Sequence, residues 1–242
     1  MAFYESIAPW YDYIFPYSPA QKKFIETELD GLAGKHLLDV GCGTGNLALR
    51  LAEAGAFATG IDLDDQMLSL ARHKGELEKR VEFVKLDMLH LQRVILHVSQ
   101  DAVVCLGNTL VHLPSPGKIL SFFNQVSRVI KPGGKLLFQI INYDYVLDEG
   151  LDRLPFIDNE FVMFERNYEF REQDELINFK TTLTIKESGR VIRNSVPLFP
   201  ARRELLLHLL DKADFSKIRF FGSFDGSPAT TSSLLLIVTA EK

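Results

Sequence analysis

Between positions 37 and 55 the chain runs through an apolar strand pattern, three alternate glycines and an amphipathic helix pattern. Leu37, Leu38 and Val40 form the apolar run, with Asp39 near its carboxyl end. A strand buried on both faces of a parallel sheet reads this way. Gly41, Gly43 and Gly45 then remove three side chains where the backbone must turn. Leu47, Ala48, Leu51 and Ala54 share one helical face, and Gly55 supplies a C-terminal stop. Strand, glycine turn and helix open a nucleotide-binding βαβ unit. The missing side chains let a ligand approach the backbone, and the helix N-terminus offers free N–H groups to an anion. Taken alone, the loop also admits the weaker reading of a plain tight turn.

The rest of the chain supplies the context that a lone turn lacks. Residues 57–62 form a second strand pattern ending at Asp62, seventeen residues beyond Gly45. Nucleotide-binding folds place a carboxylate near there to accept from ribose hydroxyls. Asp64 and Asp65 open a helix that Arg72, His73 and Lys74 close, in accord with the helix dipole. Further strands are expected at 81–86, ending at Asp87, at 102–106, ending at Gly107-Asn108-Thr109, and at 135–142 after the turn 131–134. Ser115 and Pro116 read as an N-cap and first turn of a helix reaching about position 130. Alternating strands and helices imply a doubly wound parallel sheet, with ligands at the carboxyl ends of its strands. Asp39, Asp62, Asp87 and Asn108 all fall at those ends.

Two segments break the alternation. Positions 1–19 carry Phe3, Tyr4, Trp10, Tyr11, Tyr13, Phe15 and Tyr17, too many rings to stay in water, and are expected to fold over something as a lid. From 143 to 200 the patterns at 161–170, 176–186 and 190–198 are rich in β-formers, and predict an antiparallel insertion. A helix at 201–213 and strands at 217–221 and 234–240 close the chain, the last two as a hairpin.

Bulk properties narrow the function. A length of 242 residues suits one domain, 1–242, with an insertion. The net charge of −5 disfavours a nucleic-acid partner. Two cysteines, Cys42 and Cys105, are too few for a disulfide framework or a four-cysteine zinc site, and the histidines show no ligand spacing, so no metal is expected. No apolar run is long enough to span a membrane and the first residues do not read as a signal peptide, so a cytoplasmic chain is expected. Monomer and homodimer are both open.

The loop spacing is G-x-G-x-G, not the G-x-G-x-x-G of dinucleotide folds. Asp39, Gly41, Gly43 and Gly45 resemble motif I of the class I S-adenosylmethionine-dependent methyltransferases, position for position. Asp62, Asp87, Gly107-Asn108-Thr109 and Lys131-Pro132-Gly133-Gly134 are similar, in order, to later landmarks of that family. So is Ala213-Asp214-Phe215, with Asp where the family often has Gly. The resemblance implies a Rossmann-like α/β fold with a seven-stranded sheet ordered 3-2-1-4-5-7-6, strand 7 antiparallel. The resemblance is to small-molecule methyltransferases of bacterial type, and it implies S-adenosyl-L-methionine as cofactor and a small-molecule acceptor. Asp39, Gly41, Cys42 and Gly43 would hold the methionine part. Asp62 would take the ribose hydroxyls, Leu63 or Met67 would pad the adenine, and Asp87 would accept from its amino group beside Met88. Leu106 and Asn108 would floor the site near the sulfonium.

On the acceptor side several residues carry two readings. His112 is a candidate general base, or a loop histidine bonded to backbone. Tyr11 is a candidate lid over the cofactor, or core packing. Tyr143 stands where substrate is expected. Arg166 is a candidate partner for a substrate carboxylate, or an ordinary outward-facing residue on a half-exposed strand. Cys42 reads as a loop filler, with no basic neighbour to activate it. Two other functions share the βαβ logic: an NAD-dependent oxidoreductase, and a non-catalytic S-adenosylmethionine-binding module.

Overall fold

The computed structural model describes residues 2–95, 97–170 and 175–242. Its centre is a seven-stranded sheet built from β1 (His36–Val40), β2 (Phe57–Asp62), β3 (Val81–Lys85), β4 (Gln100–Cys105), β5 (Ile130–Ile141), β10 (Ser216–Phe221) and β11 (Leu235–Glu241). The order is β10-β11-β5-β4-β1-β2-β3. β1 pairs in parallel with β2 and β4, whereas β11 runs antiparallel to both β5 and β10. Numbered within this sheet alone, the order is 3-2-1-4-5-7-6 with the seventh strand reversed, as the resemblance implies.

Neighbouring strand residues serve opposite faces. Leu38, Val103 and Leu136 belong to the core beneath α6 (Pro116–Val129) and α8 (Arg203–Lys212). Leu37, Ala102, Val104 and Leu137 belong to the core beneath α3 (Pro19–Glu28) and α4 (Asn46–Glu53), where Leu68 and Ala71 of α5 (Asp65–Lys74) also pack. A sheet covered on both faces removes the polar alternation of a half-exposed strand, which is why its strands read as apolar runs. Asp64 caps α5 by accepting from Gln66 and Met67 N–H, each at 3.0 Å, and Ser115 caps α6 at Lys118 N–H.

The turn expected at 131–134 lies inside β5. The register passes from Gln100↔Ile130 to Ala102↔Lys135, so Lys131–Gly134 forms a bulge that the chain end holds through Gly133 N–H to Lys242 O at 2.9 Å. After β5 the chain makes a short helix, α7 (Tyr143–Asp148), before the antiparallel strands begin. Those strands are β6 (Ile157–Asp158), β7 (Val162–Glu169), β8 (Ile177–Ile185) and β9 (Val191–Leu198), in sequential order.

The aromatic N-terminus forms α1 (Ala2–Ile7), a 3-10 turn and α2 (Tyr11–Ile14). What its rings fold over is the inserted sheet. Phe3, Ile7 and Ile14 share a small core with Val162, Phe164 and Leu183, and Phe15 meets Phe164 edge-on at 5.8 Å. The N-terminal helices thus bridge the insertion and the glycine loop.

Candidate functional site

The three glycines of the loop after β1 stand where a side chain would be crowded. Gly41 and Gly45 have φ of +71° and +79°, a region that L side chains avoid. A Cβ on Gly41 would stand 2.8 Å from Thr109 Oγ1, and one on Gly45 would stand 2.6 Å from Phe83 Cζ and 2.8 Å from Ala71 Cβ. The Tyr11 ring lies over Gly43, 3.3 Å from where its Cβ would be. Asp62, at the end of β2, ties the loop down. Its Oδ2 accepts from Gly43 N–H at 2.9 Å and its Oδ1 from Asp64 N–H at 3.0 Å.

Two adjoining cavities flank this loop and share Tyr4, Tyr11, Gly41, Gly107 and His112 among their walls. The smaller, about 70 Å³, is bordered by Asp62, Leu63, Met67, Leu86 and Met88. The larger, about 420 Å³, runs from Asp39, Cys42 and Leu106 to Phe164, Arg166 and Phe179 of the inserted sheet. The structure therefore brings together Asp39, Gly41, Cys42, Gly43, Asp62, Leu63, Met67, Met88, Leu106, Asn108, Tyr11, His112 and Arg166.

Asp87 and Tyr143 border neither cavity. Asp87 Oδ1 accepts from Leu89 N–H at 2.8 Å and caps the 3-10 turn that follows β3. Tyr143 is wholly buried. Its hydroxyl accepts from Asn108 Nδ2 at 3.3 Å while Asn108 Oδ1 accepts from Ile141 N–H at 2.9 Å. Tyr143 thus positions the Asn108 turn from behind.

Arg166 corrects the outward-facing reading. Along β7, Val162, Phe164 and Tyr168 point to the interior, and Arg166 stands in that same row. The signal was present as a cation inside an apolar alternation. Gln139 is a second such signal, a polar residue in the buried run of β5. It borders the larger cavity, and its Oε1 accepts from Gly107 N–H at 3.0 Å. Tyr4 and Asp12 left no such trace. Tyr4 hydroxyl bonds His112 Nε2 at 2.8 Å, across 108 residues. Asp12 accepts from Thr44 Oγ1 at 2.5 Å, Asn46 Nδ2 at 2.9 Å and Lys74 Nζ at 2.5 Å, which pins α2 onto the start of α4.

Burial dominates the electrostatics. It pushes the Asp39 carboxyl up to about 7, helped by the charge on Asp62, and Asp39 Oδ2 is buried with no hydrogen-bond partner. Burial also pushes the Cys42 thiol up, with Asp39 and Asp62 adding to it, so Cys42 stays protonated and is no nucleophile. His112 is lowered to about 4 by burial and is neutral at physiological pH. Its backbone-bonded reading does not hold, because its partner is Tyr4, and its Nδ1 is buried without one.

A mixed seven-stranded sheet with its seventh strand reversed, wrapped around a D-x-G-x-G-x-G loop, defines the class I S-adenosylmethionine-dependent methyltransferase architecture. The comparisons agree. Residues 37–134 match the methyltransferase-domain family. A protein of Geobacillus sp. (strain WCH70) named as a methyltransferase is 34% identical over 163 residues, covering 65% of this chain and 64% of its own length. The ubiquinone biosynthesis O-methyltransferase of Idiomarina loihiensis is 39% identical over 128 residues, covering 52% and 50%. The chain thus spans about half to two thirds of the length of these relatives. A crystal structure of an S-adenosylmethionine-dependent methyltransferase from Clostridium acetobutylicum superposes with a TM-score of 0.81 at 19% identity, over 99% of this chain and 98% of that one. In motif and fold the chain resembles the class I S-adenosylmethionine-dependent methyltransferases, and its residues 37–134 match a methyltransferase domain.

Proposed function

We propose that this chain transfers a methyl group from S-adenosyl-L-methionine to a small-molecule acceptor held in the larger cavity. The observation that carries the reading is the pair of adjoining cavities around the glycine loop, one beside Asp62 and one beyond Asp39. The residues fit the cofactor. Apolar Leu63, Met67, Leu86 and Met88 suit an adenine in the smaller cavity. Asp62 keeps lone pairs for ribose hydroxyls beyond its two backbone bonds. The bare loop receives the methionine part, and the orphaned Asp39 Oδ2 suits its ammonium.

When bound, S-adenosylmethionine supplies an electrophilic methyl on a sulfonium, open to in-line displacement without a protein nucleophile. The chain's own work is to hold and enclose. Leu106 and Asn108 line the larger cavity on either side of Gly107, which borders both, and alignment there is worth about 7–11 kcal/mol of the barrier. The rings of Tyr4 and Tyr11 offer faces to a cation. His112, held neutral and bonded to Tyr4, borders both cavities beside the acceptor. The N-terminal segment 1–19 and the insertion 143–200 form the lids that exclude water, tied down by Asp12 and by the shared core around Phe164. A concave chamber between the glycine loop and the inserted sheet and a net charge of −5 favour a small metabolite over nucleic acid. Among the described residues no helix is long and apolar enough to cross a membrane, and a cytoplasmic monomer or homodimer accords with this reading.

Calorimetric titration with S-adenosylhomocysteine, run beside NADH, tests the proposal. Micromolar binding of the former alone supports it. Binding of NADH alone overturns it in favour of an oxidoreductase.

A further inference from the structure

The inner face of the inserted sheet is apolar except for one rung. On β7 and β8 the register sets Phe164 opposite Leu183, Arg166 opposite Thr181, and Tyr168 opposite Phe179. Thr181 in turn faces Asn194 on β9. Arg166, Thr181 and Asn194 therefore cross the sheet side by side, between rows of aromatic and aliphatic side chains. Asn194 is satisfied, because its Nδ2 donates to Ser6 Oγ at 2.8 Å. The other two are not. Arg166 Nε and Thr181 Oγ1 are both buried with no hydrogen-bond partner.

The guanidinium is held by a neutral group, Nη2 donating to Pro155 O at 2.6 Å. No ion pair joins it to a carboxylate among the described residues, and burial pushes its pKa down. A partly desolvated cation with a buried, idle donor costs free energy unless something completes it. Natural chains keep such costs where function needs them.

Its position says what completes it. Arg166 borders the larger cavity, and it is the sole Lys or Arg among the described residues lining either cavity. Asp39 and Asp62 stand at the cofactor end, so an anion is attracted to the Arg166 end and repelled from theirs. One cation matches one negative charge. A dianionic phosphate would keep an unneutralised charge in an apolar chamber, whereas a carboxylate meets the planar guanidinium fork with two hydrogen bonds. Phe164, Phe179, Leu154 and Leu198 around it suit an apolar body.

We propose that the methyl acceptor is a small monocarboxylic acid with an aromatic or aliphatic body, anchored by its carboxylate on Arg166 so that its nucleophile faces the cofactor end. The proposal rests on the methyl-transfer reading above and adds the acceptor's charge and polarity along the chamber.

The test loads the chain with S-adenosylhomocysteine and titrates in benzoate, benzamide, benzylammonium and phenyl phosphate as probes. Benzoate is expected to bind about ten- to hundredfold tighter than benzamide, the scale of one charge-assisted contact, and at least as tightly as phenyl phosphate. Arg166→Met should erase the benzoate advantage, and Arg166→Lys, which keeps the charge without the fork, should retain part of it. In both variants the affinity for S-adenosylhomocysteine should stay within about threefold of the unaltered chain, which also shows that they fold. Three results overturn the proposal. They are no preference for benzoate over benzamide, including failure of all four probes to bind; a preference that survives Arg166→Met; and phenyl phosphate binding tightest. If S-adenosylhomocysteine itself fails to bind the unaltered chain, the methyl-transfer reading falls first and this proposal with it.

Discussion

Replacing Asp62 by alanine separates the cofactor half of the site from the acceptor half. Asp62 holds two backbone N–H groups, of Gly43 at 2.9 Å and Asp64 at 3.0 Å, and borders the smaller cavity. A carboxylate bond to a backbone donor is worth about 1.5–3 kcal/mol when desolvated. Asp62 is half-buried, so the freed N–H groups regain water and the lower half of that range applies to each. Loss of loop order, added to the lost ribose bonds, weakens S-adenosylhomocysteine binding by about 3–4 kcal/mol, or about 100- to 1000-fold. Arg166→Ala, at the opposite end of the larger cavity, leaves that affinity within about threefold. Calorimetry on both variants reads the difference. Asp62→Asn, which keeps one acceptor oxygen, should fall between. Equal losses in Asp62→Ala and Arg166→Ala, or an Asp62→Ala loss below about fivefold, would refute the division of the site.

Four further outcomes follow from the same geometry. Asp39 carries a carboxyl raised to about 7, and an ammonium partner favours its ionised form. Cofactor affinity should therefore rise about tenfold between pH 6 and pH 8, with proton release, and Asp39→Asn should flatten that dependence in calorimetry across buffers. The raised value also means that the unliganded fold loses stability as pH rises from the ordinary carboxylate range through about 7, and loses no more above it. Gly45→Ala combines a left-handed backbone, about 1–2 kcal/mol, with overpacking against Phe83 and Ala71, about 1–3 kcal/mol. Calorimetric melting should show Tm lower by about 5–20 °C, and an unchanged Tm would contradict the packing described. Thr181→Val removes a buried hydroxyl that has no partner. It should raise stability in urea by about 1 kcal/mol, and a loss of similar size would show that the hydroxyl is satisfied in solution.

The parallel sheet was legible because strands covered on both faces read as uninterrupted apolar runs, and its helices carried their caps in sequence. Asp64 and Ser115 do what their positions imply. The 131–134 turn was visible as a turn, but its place inside β5 depends on the chain end at Lys242. α7 has no side-chain cap at Asn142 and only six residues, too short for its periodicity to declare itself. At the site, the glycine loop and Asp62 were readable from spacing, whereas the bonds that make Asp62 a clasp for Gly43 and Asp64 are made to backbone, which sequence does not display. The seven N-terminal rings announced that they needed cover. Their partners, Phe164 and His112, lie more than a hundred positions away, beyond any local pattern. Arg166 was readable in principle, since a cation at the third inward position of an apolar alternation is out of place unless it has a task.

A crystal structure of the chain with S-adenosylhomocysteine tests the central claim most directly. The account expects adenine against Leu63, Met67 and Met88, ribose on Asp62, and the sulfur where the two cavities meet, facing the chamber that ends at Arg166. Adenosine seated in the larger cavity, or a sulfur turned away from Arg166, would contradict it.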